Sequence, residues 1–568
     1  MSLETIELDF IQHLANDADI SLSLGMENNL GELGDPGMQA HHQSISNAKA
    51  LLERISKEDT VENFYQRLDL HLIQLYLKRE LFFKELSFNG KLQRQQKPGG
   101  IDGISAGIFQ LFINDPREPD KRLDNILSRL YSASDYLTEE LKTLDTPVRR
   151  WRDIEVMQGE GLADLFATIL NWAKVCNYPD LKALDAAIIH ANKAIRQYID
   201  ALKSMPTTSK FAIEEVKVKE LLALGEINQS PEQLRAMAEN YLLSTEVFIE
   251  DLRLKLIKKY QLSQDTDAAT LQDFLSKQHR VTLVDGELDS ILDVYQREKS
   301  KLIGFLAQKE LFPIPEQQDL RIIRTPGFLE PVIPAGAMWP PIALRKGDKT
   351  SIVYLTLKED QINEHTHLGI PVMMLHEGIP GHHLQFASAS LQPSFIRKIF
   401  RAGEHAEGWT TMLEDYLLDS GYIENELVDE VRFIAKREIS RLAARVGIDL
   451  YFMTGDKQYL NVGLQLDFDS DDPFENAAKL LKTATGFTDG RVQAELNWYS
   501  TERGIPLCYL TGNQMVWKLK RDIQNANLKQ LSADALDKEF HRIYLNSGCM
   551  PVSSLREVFR YEGLLPHD

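Results

Sequence analysis

Apolar residues recur at three- and four-residue steps through most of this chain, a period that only helices present on one face. Between 59 and 86 the set Val61, Phe64, Leu68, Leu72 and Leu75 forms one such stripe, with Asp59 placed as its N-cap. Residues 286–306 repeat the pattern through Leu288, Ile291, Leu292, Tyr295 and Leu302. So do 121–143, 160–204, 230–260, 424–453, 506–526 and 551–563. Strand signals are few, the clearest at 320–323 and 351–357. No repeat of fixed period runs through the chain. The expected fold is mainly α: a large multi-helix protein with a few short strands.

One break interrupts the helical pattern. Residues 313–341 hold seven of the 22 prolines: Pro313, Pro315, Pro326, Pro331, Pro334, Pro340 and Pro341. Proline removes a backbone donor and fixes φ, so this stretch reads as irregular chain, either a linker or the wall of a cleft. The expected organisation is a helical part over 1–312, the proline-rich segment over 313–350 and a second helical part over 351–568, within one family domain. A chain of 568 residues has ample length for such a core.

Several function classes drop out on composition. A net charge of −20 leaves no basic footprint for nucleic acid. Cys176, Cys508 and Cys549 lie far apart, without the spacing of a disulfide framework or a cysteine zinc site. No apolar run is long enough to span a membrane. The first twenty residues are acidic and lack the apolar core of a signal peptide, so the expected location is the cytoplasm. Nothing in the sequence bears on oligomeric state.

The chemistry concentrates in His376-Glu377-Gly378-Ile379-Pro380-Gly381-His382-His383. Six of the 14 histidines fall within 365–405: these three with His365, His367 and His405. Even scattering would put about one there. Imidazoles bind zinc, and a glutamate next to the first ligand can deprotonate a metal-bound water. The usual spacing is H-E-x-x-H, but the fifth position here is Pro380, which cannot be a ligand.

On a straight helix His376 and His382 would lie about 9 Å apart along the axis and about 120° apart around it. His376 and His383 would share a face but stand about 10 Å apart. Neither pair could then hold one ion at about 2.1 Å from each nitrogen. A metal site therefore requires the helix to be distorted at 379–382. Pro380 and Gly381 permit this: one cannot donate to the carbonyl of His376, and the other tolerates unusual backbone angles. A third ligand is needed, and Glu407 is the candidate, 25 positions after His382 and beside Gly408-Trp409. Glu404 and Glu414 read as ordinary helix-surface acids, and His365, His367 and His405 as loop or surface residues.

These residues resemble a family. H-E-G-I-P-G-H-H-L-Q at 376–385, E-G-W at 407–409 and F-H-x(4)-N-S-G-x-x-P at 540–551 are similar to a largely bacterial family known as domain of unknown function eight-eight-five. Gluzincin-like metallopeptidases are counted among its members. Y-x-x-G at 509–512 and the pair Arg445 and Asp449 also fit, and the match covers nearly the whole chain. The resemblance implies a helical metallopeptidase-like fold with its strands near the active-site cleft. It implies one zinc ion held by His376, His382 and Glu407, Glu377 as general base, and Tyr509 as a hydroxyl donor. Two strings depart from the family pattern: Arg503-Gly504-Ile505 stands where P-G-Q is expected, and Asp449 to Met453 where D-T-G-x-H is expected.

The expected function is accordingly a zinc-dependent hydrolase, a peptidase acting on short peptides. Glu377 would move the proton, and Tyr509 or His383 would donate to the oxyanion. His383 could instead support a ligand or simply bond to backbone. The two departures leave two rivals open. One is a non-catalytic peptide-binding or scaffold protein with a degenerate metal site. The other is a metal-dependent hydrolase of non-peptide amides or esters.

Overall fold

Helices account for most of the chain, as the apolar period predicts, and strands for very little of it. The computed structural model describes residues 3–57, 63–325, 333 and 336–567. Contacts divide it into two compact units, Met1–Ile213 and Glu214–Asp568.

The first unit is helical, with Pro119–Thr143, Arg149–Val175 and Leu181–Ser204 its longest helices. Leu181–Ser204 buries Leu184, Ile188, Ala191, Ile195 and Leu202 along one stripe, the spacing an amphipathic helix needs. The apolar run over 160–204 is split between two of these helices. Asn177 takes a φ of 56°, the left-handed conformation that ends helices, and Pro179 follows it. The expected cap Asp59 and the apolar Val61 lie outside the described residues. The helix Phe64–Glu85 begins instead behind Asn63, whose side chain accepts from the Gln66 amide at 3.2 Å.

The second unit carries the histidine motif. Its three-stranded sheet has Lys349–Leu355 at the centre, parallel to Gln318–Arg324 and antiparallel to Gly336–Trp339. The centre strand is buried along nearly its whole length, which explains its continuous apolar run. Both expected strands are present; the third, Gly336–Trp339, lies inside the proline-rich segment. Of those prolines, Pro326, Pro331 and Pro334 fall outside the described residues, and no helix forms among the described part of 313–341.

Strand Gly336–Trp339 runs close to the helix Gly369–Glu377: a Cβ on Gly336 would stand 2.8 Å from the Met373 methyl carbon. Beyond it pack the helices Gly403–Asp419 and Cys508–Ala526. These two cross where Gly408 meets the backbone of Gly512, and Gly512 meets the carbonyl of Glu404. No side chain fits at that crossing, so glycine at both positions sets the distance between the helices.

Candidate metal centre

The helix carrying His376 stops at Glu377, and a new helix starts at His382. Between them the chain turns back on itself so tightly that a Cβ on Gly381 would overlap the carbonyl oxygens of Leu375 and His376. Only glycine can make that approach. Pro380, having no amide hydrogen, leaves no donor stranded in the turn. The turn has a tie of its own: Trp409 Nε1 donates to the Pro380 carbonyl at 2.9 Å.

This break brings the two imidazoles together, with ring centroids 4.9 Å apart and planes at 84°. Glu407 Oε2 lies 3.8 Å from His376 Nε2 and 3.4 Å from His382 Nε2. One donor atom from each of the three residues falls within 4.8 Å of the others. Tetrahedral zinc with bonds of about 2.1 Å separates its ligand atoms by about 3.4 Å, so the spacing fits one ion. Glu407 Oε2 is buried and has no hydrogen-bond partner among the described residues. A buried carboxylate oxygen aimed at two imidazole nitrogens is costly unless a cation or proton sits between them. The donor set, two histidines and a glutamate, is one that zinc accepts.

The charges are strongly coupled. Burial alone would lower the His382 imidazole, but the facing Glu407 carboxylate overrides it and pushes it up to about 9. Glu407 shows the converse: burial would raise it, yet His382 and His376 hold it below the usual carboxylate range.

Around this group stand residues that fix its parts. His376 Nδ1 donates to Glu414 Oε1 at 2.8 Å, which orients the ring with Nε2 toward Glu407. Glu414, expected to be a surface acid, is therefore a partner of the motif. The available signal was its position seven residues after Glu407, two turns along the same helix face. Glu404 is buried too, accepting from the Val552 amide at 3.3 Å. Glu377 is half-buried. Burial and the nearby Glu407 carboxylate raise the Tyr509 hydroxyl well above its ordinary value, with Glu377 adding to the effect.

His383 is not brought to this group, despite its expected place among the oxyanion donors. Its Nδ1 accepts from the Ser351 hydroxyl at 2.7 Å, and its Nε2 donates to Gln318 Oε1 at 2.7 Å. Both nitrogens are thus spent on the sheet, and burial pushes the ring down to about 4, so it stays neutral. One residue along a helix turns a side chain by about 100°, which is why adjacent histidines face different neighbours. His365 and His405 are also buried rather than on the surface. His405 Nδ1 donates to the Met550 carbonyl at 2.6 Å, and His365 Nδ1 lies 3.3 Å from the Tyr295 hydroxyl. His367 is exposed.

The two departing strings turn out to be one structural feature. Asp449 accepts from the Gly504 and Leu507 amides, each at 3.1 Å. The F-H-x(4)-N-S-G-x-x-P string packs behind the site: His541 stacks on Phe312 at 4.2 Å, and Tyr544 on Trp409 at 4.5 Å.

Two solved structures share the fold. One is of a putative lipoprotein of unknown function from Shewanella oneidensis, with TM-score 0.76 and 18% identity, covering 99% of this chain and 100% of that one. The other is of the putative lipoprotein from Colwellia psychrerythraea, with TM-score 0.76 and 15% identity, covering 99% of each chain. The expected cytoplasmic location is corrected on this finding, since both structures of this fold are described as putative lipoproteins. An acidic N-terminal composition reports charge and not compartment. No helix among the described residues is long and apolar enough to cross a membrane. No curated protein matches the chain significantly. The family model described as bacterial protein of unknown function (DUF885) matches residues 20–558, and the chain belongs to that family.

Proposed function

We propose that this protein is a zinc-dependent hydrolase that cleaves short peptides. The observation that carries the reading is the convergence of donor atoms from His376, His382 and Glu407 within 4.8 Å, with Glu377 next in sequence to the first of them. Two imidazoles and one carboxylate are the three-residue donor set that catalytic zinc takes, whereas structural zinc takes four protein ligands. Zinc held by His376, His382 and Glu407 would supply Lewis-acid chemistry, lowering the pKa of water toward about 7 and polarising a carbonyl.

The chain's own groups do the rest. Glu377 takes the proton of the attacking water and returns it to the leaving amine. Tyr509, kept protonated by burial and by two neighbouring carboxylates, donates to the oxygen on which negative charge develops. Glu414 holds His376 in the tautomer that presents Nε2. The lipoprotein description of the two structural relatives supports a membrane-anchored, extracytoplasmic setting for this reaction.

The test combines metal analysis with turnover of a short-peptide library by wild type and Glu377→Gln. Wild type should take up one zinc per chain and cleave peptides. Glu377→Gln should retain the metal and turn over about 10²- to 10⁴-fold more slowly. A wild type without stoichiometric zinc after reconstitution, or equal cleavage by both proteins, would sink the proposal.

A further inference from the structure

The helix Arg441–Thr454 supplies none of the three donors, yet two of its buried polar residues hold the segment that carries Tyr509. Arg445 and Asp449 are four residues apart and so lie on one face of that helix. The Arg445 guanidinium sits over the Tyr509 ring, 4.3 Å from its centroid. Its orientation is set on the far side by the helix Asp489–Thr501. Nε donates to the Tyr499 hydroxyl at 2.8 Å, and Nη2 to Glu495 Oε2 at 2.9 Å. Trp498 of the same helix meets the Tyr509 ring edge-on at 6.2 Å. The third nitrogen, Nη1, is buried without a hydrogen-bond partner among the described residues, so the aromatic face is what remains to hold it.

Asp449 acts one turn further along. Its two carboxylate oxygens each accept a backbone amide, one from Gly504 and one from Leu507, at 3.1 Å. Gly504 has a φ of 78° and Leu507 is the residue before the helix Cys508–Ala526, so the carboxylate pins the turn from which Tyr509 projects. From the opposite side, the glycine crossing at Gly408 and Gly512 sets how close that helix comes to the one bearing Glu407.

We propose that Arg445 and Asp449 are positioning residues for Tyr509, a two-point brace that fixes its ring and the turn before it so that the hydroxyl stays beside Glu407 and Glu377. The brace deepens the hydrolase reading, on which the catalytic consequence rests; the geometric consequence does not depend on turnover. Arginine suits this task and lysine does not, because only a planar guanidinium can stack on a ring while donating sideways to two partners.

The test uses the full chain with 3-fluorotyrosine at position 509, followed by fluorine NMR, alongside peptide kinetics. The parent should show one narrow resonance that shifts on adding zinc. In Arg445→Lys, and separately in Asp449→Asn, the resonance should broaden or split and its zinc response should shrink, while zinc stoichiometry holds. Arg445→Lys should lower kcat about 10- to 100-fold with KM little changed. In a Tyr509→Phe background the same change should cost less than about twofold, since the hydroxyl it serves is gone. An unaltered resonance in both variants, or equal kcat losses in the two backgrounds, overturns the proposal. A parent that cleaves no peptide counts against the hydrolase reading alone, and the fluorine result then decides the brace. If one variant fails to fold, the other carries the fluorine comparison.

Discussion

Trp409 Nε1 donates to the carbonyl oxygen of Pro380 at 2.9 Å, joining the interruption in the histidine motif to the helix that bears Glu407. The indole is fully buried, stacked on Tyr544 and edge-on to Phe312. The three residues Glu407, Gly408 and Trp409 thus have three separate jobs. One faces the imidazoles, one lets two helices touch, and one anchors the turn that returns His382 toward His376.

Replacing Trp409 with phenylalanine keeps most of the aromatic packing but strands the Pro380 carbonyl. An unsatisfied buried acceptor costs about 1–3 kcal/mol. Urea unfolding should show a loss of that size, and zinc titration should show weaker binding, because the turn that sets His382 has lost its tie. Unchanged zinc affinity in a destabilised Trp409→Phe would mean that the bond serves the core and not the site.

Gly381→Ala should abolish zinc uptake and destabilise the protein by about 3 kcal/mol or more, since its Cβ has nowhere to go between the carbonyls of Leu375 and His376. Gly304→Ala is the control. Its Cβ meets nothing within 4 Å in the helix Ser290–Lys309, so it should stabilise by about 0.5–1 kcal/mol. Thermal melts of both proteins with and without zinc check the contrast.

Glu414→Gln removes the charge that orients His376. Partners of this kind typically govern metal affinity about 10- to 100-fold, and a loss in that range is expected in chelator competition at fixed pH. Equal affinity in wild type and variant would show that His376 is held by packing instead.

His541 supplies a pH test apart from His376, His382 and Glu407. Burial against Phe312 and Trp409, with the charge of Lys520 nearby, holds its ring well below the ordinary value of 6.5. The unfolded chain therefore takes up a proton below about pH 6.5 that the folded chain refuses. This contribution to stability is present above that pH and is lost as pH falls through it, at up to about 1.4 kcal/mol per pH unit. Urea midpoints between pH 7 and 5 should fall less steeply for His541→Gln, whose amide can still donate to the Leu311 carbonyl. Parallel slopes in the two proteins would contradict this account.

How much of this can be read along the chain depends on how local the signal is. Helices are legible because their period is printed in neighbouring residues, as in Leu184, Ile188, Ala191 and Ile195. Their ends are less so: a left-handed Asn177 ahead of Pro179 divides one apolar run that the period alone joins. The edge strand Gly336–Trp339 is missed because four residues among prolines show too little alternation, and its pairing partner lies elsewhere in sequence. Glu414 and His405 are misjudged for a related reason. A charged or polar residue on a helix looks solvent-facing until the helix packed against it is known.

The sequence by itself determined the helical class, the donor types gathered at 376–407, and the need for a broken helix between His376 and His382. Those are consequences of period, side-chain chemistry and the geometry of a straight helix, all of which are local. Only the tertiary structure decided which imidazole turns toward Glu407 and which toward the sheet, and that Glu414, Arg445 and Asp449 belong to the surroundings of the site. The reason is physical. The direction of His382 is set by the backbone angles of Gly378 and Gly381, and the reach of Glu407 and Tyr509 by a helix crossing closed at Gly408 and Gly512, a contact between residues far apart in the sequence.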